Sequence, residues 1–404
     1  MSRRRGRQPL PPGFAVVWTT VALDLVGFGI VLPILPLYAR RFHASSLEAT
    51  LLLAAFSAAS FVFSPLWGRV ADRHGRKPVL LVSLVGTAVG SLVTGLAGGL
   101  PLLFVGRLVD GVSGASVSVA QATVADLADP RQRPHLFGLL GAAFGIGFVA
   151  GPAIGALGSL AGPRVPFLIA AGLAGVNAVV AVRRLPETHP RSARHRREPG
   201  ASRLAALRAP GVLSLISVSL CTLVAFSAFE ATFALFGRAR LGLGIGSSAA
   251  TFAAVGAVIV IVQGGLVRPV VARLGELRTL GLGLVLDAVG LGVLAPARTW
   301  TLAAPALLIL TVGQGLVQTT MSSGLAGRAD PRRRGEVLGV QQSAGGLARV
   351  VGPILGGALL GEQITDWPYE VGAFLMVVAL GLVVRMGRIP PLDDSAAPKD
   401  DVTV

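Results

Sequence analysis

Long apolar stretches follow one another along the whole chain, each near the length of a membrane-spanning helix. A spanning helix needs about 20 apolar residues. Only 14% of the 404 residues are charged, whereas soluble domains carry about 25%. The sequence therefore predicts an all-α polytopic membrane protein with twelve transmembrane helices. The predicted spans are 14–38, 47–67, 79–99, 101–123, 135–159, 164–184, 210–237, 246–268, 276–297, 300–322, 336–361 and 368–388.

Basic residues alternate between the two sides of these spans. With the N-terminus placed in the cytoplasm, 28 of the 36 Lys and Arg residues lie on the cytoplasmic side, 6 lie outside and 2 lie within spans. Positive charge collects in cytoplasmic loops. The pattern predicts that both termini are cytoplasmic in the cell inner (plasma) membrane. It also accounts for the net charge of +16 without any nucleic-acid partner.

The domain organisation follows from the polar segments. The Arg-rich N-terminus resembles the start of a signal peptide, but the apolar run 14–38 is too long for one and has no small-residue cleavage site, so we expect it to be the first span. The longest polar segment, 185–209, is predicted to be a cytoplasmic linker. The linker would separate a six-helix bundle at 1–184 from a second at 210–388, with a cytoplasmic tail at 389–404.

An internal repeat relates the two predicted halves. Ala128-Asp129-Pro130-Arg131 recurs as Ala329-Asp330-Pro331-Arg332, and Gly151-Pro152-x-x-Gly155 recurs as Gly352-Pro353-x-x-Gly356, both at an offset of 201 residues. A shared offset over a long stretch is the signature of internal duplication. Span five and span eleven are therefore predicted to be copies, in halves that form parallel repeats.

A basic segment, Gly68 to Pro78, interrupts the apolar pattern between spans two and three. Gly75 and Pro78 are helix breakers, so the segment is predicted to be a sharp turn in water. One interpretation is a solvated loop that only fixes topology. The other is a conformational latch, since the carboxylate of Asp72 could accept from backbone N–H groups at a helix start.

Four stretches resemble the major facilitator superfamily. They are Gly68-x-x-x-Asp72-Arg73-x-Gly75-Arg76-Lys77, Gly106-Arg107-x-x-x-Gly111-x-x-Gly114, Gly147-x-x-x-Gly151-Pro152-x-x-Gly155, and span one from Leu23 to Tyr38. The first is specific for the superfamily, and the stretches in spans one and five together favour twelve-helix drug:proton antiporters of the tetracycline or multidrug exporter type. The resemblance implies two six-helix bundles around a central cavity.

The resemblance also implies roles for the basic segment. Asp72 would dock on the start of span eleven, near residues 335–339, when the transporter faces outward, and Arg76 would pair with a nearby acidic group. The corresponding segment of the second half, 268–275, lacks the acid, so the latch would be one-sided. The predicted latch residues are Gly68, Asp72, Arg73, Gly75, Arg76 and Lys77.

The small residues of span five admit two interpretations. Gly147, Gly151 and Gly155 share one face, which permits close helix packing, and Pro152 is predicted to kink the span. Packing alone could explain them. The resemblance implies instead that this antiporter motif faces the other half and limits leakage.

Ionisable side chains within spans are expensive in hydrocarbon and usually face a cavity or a partner. Asp24 is expected to face inward, for proton coupling or for contact with a cationic substrate. Arg107 is a candidate for proton-coupling electrostatics, or a structural partner of Asp110 or Asp24. Asp287 is expected to be structural or lipid-adjacent. The predicted proton-coupling and cavity residues are Asp24, Arg107, Asp110, Glu230, Gln314 and Gln318. The two glutamines could alternatively form interhelical hydrogen bonds.

The predicted function is proton-driven export of small amphipathic, drug-like compounds. The sequence has no Gly-x-x-x-x-Gly-Lys-Ser/Thr loop for ATP and no metal-ligand spacing among its histidines, so we expect no enzyme activity and no cofactor, with the proton gradient as energy source. The expected partners are a small-molecule substrate, protons and the lipid bilayer, for a monomer. The alternatives are a proton-linked metabolite transporter and a non-transporting receptor or scaffold.

Overall fold

The protein is described by a computed structural model that covers residues 10–127, 132–187, 211–328 and 334–386. Within these residues, twelve helices are long and apolar enough to cross a membrane, which confirms the predicted all-α class. The helices are α1 (Phe14–Val31), α2 (Ser46–His74), α3 (Arg76–Gly95), α4 (Leu100–Leu127), α5 (Arg133–Ser159), α6 (Val165–Arg184), α7 (Val212–Leu241), α8 (Ile245–Leu274), α9 (Glu276–Leu294), α10 (Trp300–Arg328), α11 (Arg334–Leu360) and α12 (Trp367–Met386).

The predicted turn at Gly68–Pro78 is wrong in its extent. Helix α2 continues through Gly68 to His74, and α3 begins at Arg76, so Gly75 alone separates the two helices. Gly75 has a φ of 107°, a conformation that side chains rarely adopt. Pro78 lies in the first turn of α3, where a missing N–H breaks no helical bond. The 29 residues of α2 span about 44 Å, so its charged end extends beyond a hydrocarbon core of about 30 Å.

Three helices depart from regular geometry in ways that the apolar pattern could not show. Helix α1 ends at Val31, and a short helix, Leu35–Ala39, continues it after Pro33. Helix α4 is interrupted between Ser113 and Ser116. Helix α8 contains a π-helical turn at Val262–Leu266. Interruptions of this kind are frequent at functional sites.

The interruption of α4 is held by a side chain from α3. Ser83 donates a hydrogen bond to the carbonyl of Ser113 and accepts one from the N–H of Ala115, at 3.2 Å. The bonds provide partners for backbone groups that the break would otherwise leave unpaired inside the bundle. The break therefore belongs to the fold, and it makes Ser116 the first residue of a new helical segment.

The two six-helix bundles pack their repeated helices alike. A Cβ built at Gly151 of α5 would lie 2.7 Å from the Cα of Gly29 on α1. A Cβ at Gly352 of α11 would lie 2.6 Å from Ser227 on α7. The duplicated Gly-Pro motifs thus serve the same packing in each bundle. The other part of the predicted repeat, 128–131 and 329–332, lies outside the described residues.

The halves touch at one end and separate at the other. We call the end where α6 finishes and α7 starts the linker side, and the opposite end the far side. Contacts between halves run mainly from α5 to α8 and from α2 to α11. On the far side, a Cβ at Gly246 of α8 would overlap Ser159 of α5, and one at Gly357 of α11 would overlap Thr50 of α2. Toward the linker side of these same four helices, a Cβ would make no contact across the halves, at Gly68, Gly138, Gly141, Gly264, Gly265 and Gly339. The gap between the halves therefore opens on the linker side.

Candidate functional site

Asp24 lies half-buried near the middle of α1. Its Oδ2 accepts a hydrogen bond from the hydroxyl of Ser116, the residue at which α4 resumes after its break. Its Oδ1 has no hydrogen-bond partner among the described residues. One carboxylate oxygen is therefore held by Ser116, and the other is enclosed without a partner, where it can take up a proton. The apolar neighbours of Asp24 in sequence gave no sign of Ser116, which is 92 residues away.

Two hydroxyls and two aromatic rings lie on α1, α2 and α4 of the first half. Ser64 of α2 donates to Ser118 of α4 at 3.1 Å, and the pair is exposed. The rings of Phe28 on α1 and Phe56 on α2 are 5.5 Å apart. The first half therefore carries hydroxyls and aromatic rings on α2 and on the two helices that hold Asp24 and Ser116, a combination suited to amphipathic ligands.

Arg107 and Asp110 form a buried ion pair on α4, with Arg107 Nη1 3.1 Å from Asp110 Oδ2. Both point toward α3. Arg107 Nη2 donates to the hydroxyl of Thr94 at 3.3 Å, and Thr87 donates to Asp110. Of the two predicted partners for Arg107, the structure places Asp110 against it. Asp24 is still near enough to Asp110 for an electrostatic interaction.

Glu230 is half-buried on α7. It interacts electrostatically with Arg349 of α11, an exposed residue to which the sequence analysis gave no role. The only hint in the sequence is that Arg349 is one of two basic residues within predicted spans. The pair places opposite charges on two helices of the second half.

The two glutamines of α10 have different surroundings. Gln318 is exposed and accepts a hydrogen bond at 2.8 Å from Gln263, within the π-helical turn of α8. Gln314 is 2% exposed, and its Oε1 has no hydrogen-bond partner in the described part of the chain. The interhelical bond considered for these residues is present for Gln318.

Asp287 is fully buried on α9 and faces α10, where its Oδ1 lies against Gly313. The expectation of a lipid-adjacent position is wrong. Neither carboxylate oxygen has a hydrogen-bond partner in the part of the chain that the structure covers. An enclosed, unpaired carboxylate is costly when ionised, so this packing suits the neutral acid.

Arg76 holds the junction between α2 and α3. Its side chain is buried and bridges two carboxylates, Asp72 Oδ1 at 2.9 Å and Asp126 Oδ2 at 3.1 Å. Arg73 is exposed and Lys77 is partly exposed. The two acidic partners fix the orientation of Arg76 at the end of α2, and Asp126 ties the junction to α4.

Glu187, just after α6, caps the same junction. Its Oε1 accepts from the backbone N–H of Arg76 at 2.8 Å, and its Oε2 accepts from that of Lys77 at 3.2 Å. The carboxylate occupies the space where a side chain at Gly75 would lie. A carboxylate at a helix N-terminus is stabilised by unpaired N–H groups and the helix dipole. A partner 111 residues away left no local signal in the sequence.

The glycine face of α5 meets α1 of its own half, not the other half as the resemblance implied. Gly147 packs against Leu25, and Gly151 packs against Gly29. Pro152 also lies on this face, beside Gly29. The contact between halves comes from the other side of α5, where Phe148 lies against Gly256 of α8. Gly155, against Ile30 and Ile34, completes the α1-facing row, since residues four apart share one face.

Arg40 and Glu362 join the halves on the far side. Arg40 Nη1 lies 3.0 Å from Glu362 Oε2, and the N–H of Ser46 at the start of α2 donates to Glu362 Oε1 at 2.7 Å. The N–H of Ser46 and then the guanidinium of Arg40 hold the pKa of Glu362 below its ordinary value. Neither Arg40 nor Glu362 belongs to the predicted site, because a charge in a loop indicates topology and gives no sign of its partner.

Known transporters resemble the chain over nearly its whole length. The Major Facilitator Superfamily model matches residues 17–353 and 269–402. The class E tetracycline resistance protein of Escherichia coli is 31% identical over 388 residues, covering 91% of this chain and 94% of that protein. Multidrug resistance protein 2 of Bacillus subtilis (strain 168) is 28% identical over 382 residues, covering 92% and 94% respectively.

Solved structures of transporters are also similar to the chain. The human organic anion transporter MFSD10 (TETRAN) has a TM-score of 0.69 and 25% identity, covering 92% of this chain and 98% of its own. The peptide transporter POT in complex with sulfate has a TM-score of 0.79 at 14% identity, covering 96% and 98%, which shows the shared fold. The predicted resemblance is confirmed, and the chain belongs to the major facilitator superfamily, as a multi-pass membrane transporter and not an enzyme.

Proposed function

We propose that the protein is a proton-coupled exporter of small amphipathic, drug-like compounds. The observation that carries the proposal is the carboxylate of Asp24, midway along a membrane-spanning helix with one oxygen unpartnered. An ionisable side chain at that depth is costly in hydrocarbon and marks a proton relay or a substrate pathway. The similarity to tetracycline and multidrug resistance proteins supports a drug-like substrate, and the proton gradient supplies the energy without a bound cofactor.

Transport would proceed by alternating access. The bundles at 1–184 and 210–388, joined by the linker at 185–209, would rock about the central gap. The linker would lie in the cytoplasm, with the protein in the inner membrane. The gap between the halves would then open to the cytoplasm, so the described state would face inward. Asp24 would release its proton to the cytoplasm and accept substrate, and the far side would open after the halves rock.

Dye efflux measures this function directly. Cells that express the protein are expected to lose a preloaded cationic dye such as ethidium several-fold faster than cells that express Asp24→Asn at equal membrane abundance. A protonophore should abolish the difference, because the driving force is the proton gradient. Efflux that persists with the protonophore, or no flux of any dye or antibiotic across a broad panel, would contradict the proposal.

The contact between Arg40 and Glu362 is expected to stabilise the state that is closed on the far side. Leu47 lies in the first turn of α2, beside Gly357 of α11. Glu362→Gln should raise the accessibility of a single cysteine at this position, in a Cys221→Ser background, by about two- to fivefold, the scale of an exposed ion pair. Thiol labelling from the far side measures this change. Glu276→Gln at the start of α9, on the linker side, is the control and should leave labelling unchanged.

The pH dependence of this contact follows from the pKa of Glu362. The pKa is lowered in the contact, so the ionised acid is favoured when the far side is closed. The stabilisation is then complete above the ordinary carboxyl pKa and is lost as pH falls through the lowered value. Mild acid on the far side should leave labelling low. If labelling of the cysteine at Leu47, with Glu362 intact, is already high at neutral pH, Glu362 does not hold the closed state.

A further inference from the structure

Arg349 points into the gap between the halves. On α11, Gly345 and Gly352 face α7, whereas Gly346 faces Phe61 of α2 in the other half. With 3.6 residues per turn, Arg349 comes one turn after both Gly345 and Gly346 and points between those two directions. It is exposed although it lies near the middle of α11. Since a charge at that depth is costly against lipid, its exposure is to the gap.

Glu230 is the acidic neighbour of Arg349. It lies on α7, beside the face that packs against α11 through Ser227, and its charge interacts with that of Arg349. The described residues include no hydrogen bond or ion pair that occupies the guanidinium of Arg349. A guanidinium offers five N–H donors in a planar fork, so Glu230 leaves donors free for a ligand.

We propose that Arg349 and Glu230 form an anion-recognition site in the second half, which binds an ionised acidic group on an amphipathic substrate. The inference rests on the proposed function and names the substrate class of its cavity. A carboxylate or enolate would replace Glu230 as the partner of Arg349. Glu230 competes for the guanidinium, so the two residues have opposite effects on the binding of acidic ligands.

The two halves would then recognise different parts of one substrate. Asp24, held by Ser116 of α4, offers a negative group on the first half, and Arg349 offers a positive group on the second. A compound that carries both a basic and an acidic group on an apolar body matches both walls. Bidentate pairing with arginine requires a planar acid, which favours carboxylates over bulky anions.

A pair of fluorescent ligands tests the site. Tetramethylrhodamine carries a free carboxylate, and its methyl ester replaces that ionised group with a neutral ester on the same cationic ring system. Equilibrium binding to purified full-length protein in nanodiscs, followed by fluorescence polarisation without a proton gradient, separates recognition from coupling. Arg349→Gln is expected to weaken binding of the acid about tenfold, the scale of a lost charge-assisted hydrogen bond, and to change binding of the ester less than twofold.

Further variants keep the test independent of one substitution. Glu230→Gln should tighten binding of the acid, because it removes the competitor. Arg349→Lys should retain part of the affinity, since it keeps the charge and loses the fork. Arg385→Gln, an exposed arginine at the end of α12, is the matched control and should change neither ligand.

The possible outcomes separate this inference from the proposed function. Equal weakening of acid and ester by Arg349→Gln would overturn the anion site and leave the proposed exporter intact. Weaker binding of the acid in Glu230→Gln would also overturn the site. Wild-type protein that binds the ester but not the acid would do the same. Wild-type protein that binds neither ligand and extrudes no dye would overturn both proposals.

Discussion

Asp24→Asn is expected to abolish proton-driven export while leaving the protein folded in the membrane. Asparagine keeps the shape of aspartate and can still accept the hydrogen bond that Ser116 donates, but it cannot carry a proton. Efflux against a gradient should fall about 100-fold or more, the scale of removing a positioned proton-transfer group. Transport into inverted proteoliposomes with an imposed pH gradient measures the loss.

The same variant should retain exchange that needs no net proton movement. Substrate counterflow in proteoliposomes without a pH gradient is expected to stay within a few-fold of wild type, because the neutral asparagine mimics one protonation state of Asp24. Ser116→Ala is the comparison: it keeps the carboxylate and should shift the pH profile of transport without abolishing it. Proton-driven export by Asp24→Asn at the wild-type rate would remove Asp24 from the mechanism.

The number of helices could be predicted from the sequence because a bilayer imposes one length on every span. The ends of the helices could not, since a helix continues into water as long as its backbone bonds remain favourable. The charged residues from Arg69 to His74 therefore belong to α2, although their composition resembles a loop. Only Gly75, with its positive φ, breaks the chain there.

Side chains that carry charge within spans could be found from the sequence, but their partners could not. Asp24, Arg107 and Glu230 stand out because apolar residues flank them on both sides in the sequence. Ser116 and Arg349 meet them only through helix packing, which no local pattern encodes. The same holds for Glu187, whose contacts with the backbone at Arg76 and Lys77 depend on where α6 ends.

The charged contacts at the two ends of the molecule differ in what they join. On the far side, Glu362 joins the second half to Arg40 and Ser46 of the first. On the linker side, Arg76 and Glu187 join elements of the first half only. The charged contacts on the far side therefore join the two halves, whereas these contacts on the linker side lie within one half. The latch that the resemblance implies, in which the α2–α3 junction presents Asp72 to the other half after rocking, stays a prediction.

Removal of either member of the buried Arg107–Asp110 pair is expected to prevent stable folding. Arg107→Met leaves the carboxylate of Asp110 buried without its cation, and Asp110→Leu leaves an unpaired guanidinium; each costs about 3–5 kcal/mol. Both single variants should show low membrane abundance and early thermal unfolding in detergent. The double variant Arg107→Met/Asp110→Leu should restore abundance, since apolar side chains can replace a buried ion pair at little cost.

Transport by the folded double variant then decides between the two interpretations of Arg107. The pair points toward Thr87 and Thr94 of α3, which is the geometry of a structural contact. Asp110 also interacts electrostatically with Asp24, which would make the pair part of the proton pathway. Export at the wild-type rate assigns a structural role, and a folded variant that exchanges substrate but fails to export assigns proton coupling. A double variant as unstable as either single variant would contradict the expected compensation, because burial of an uncompensated charge would then not explain the instability.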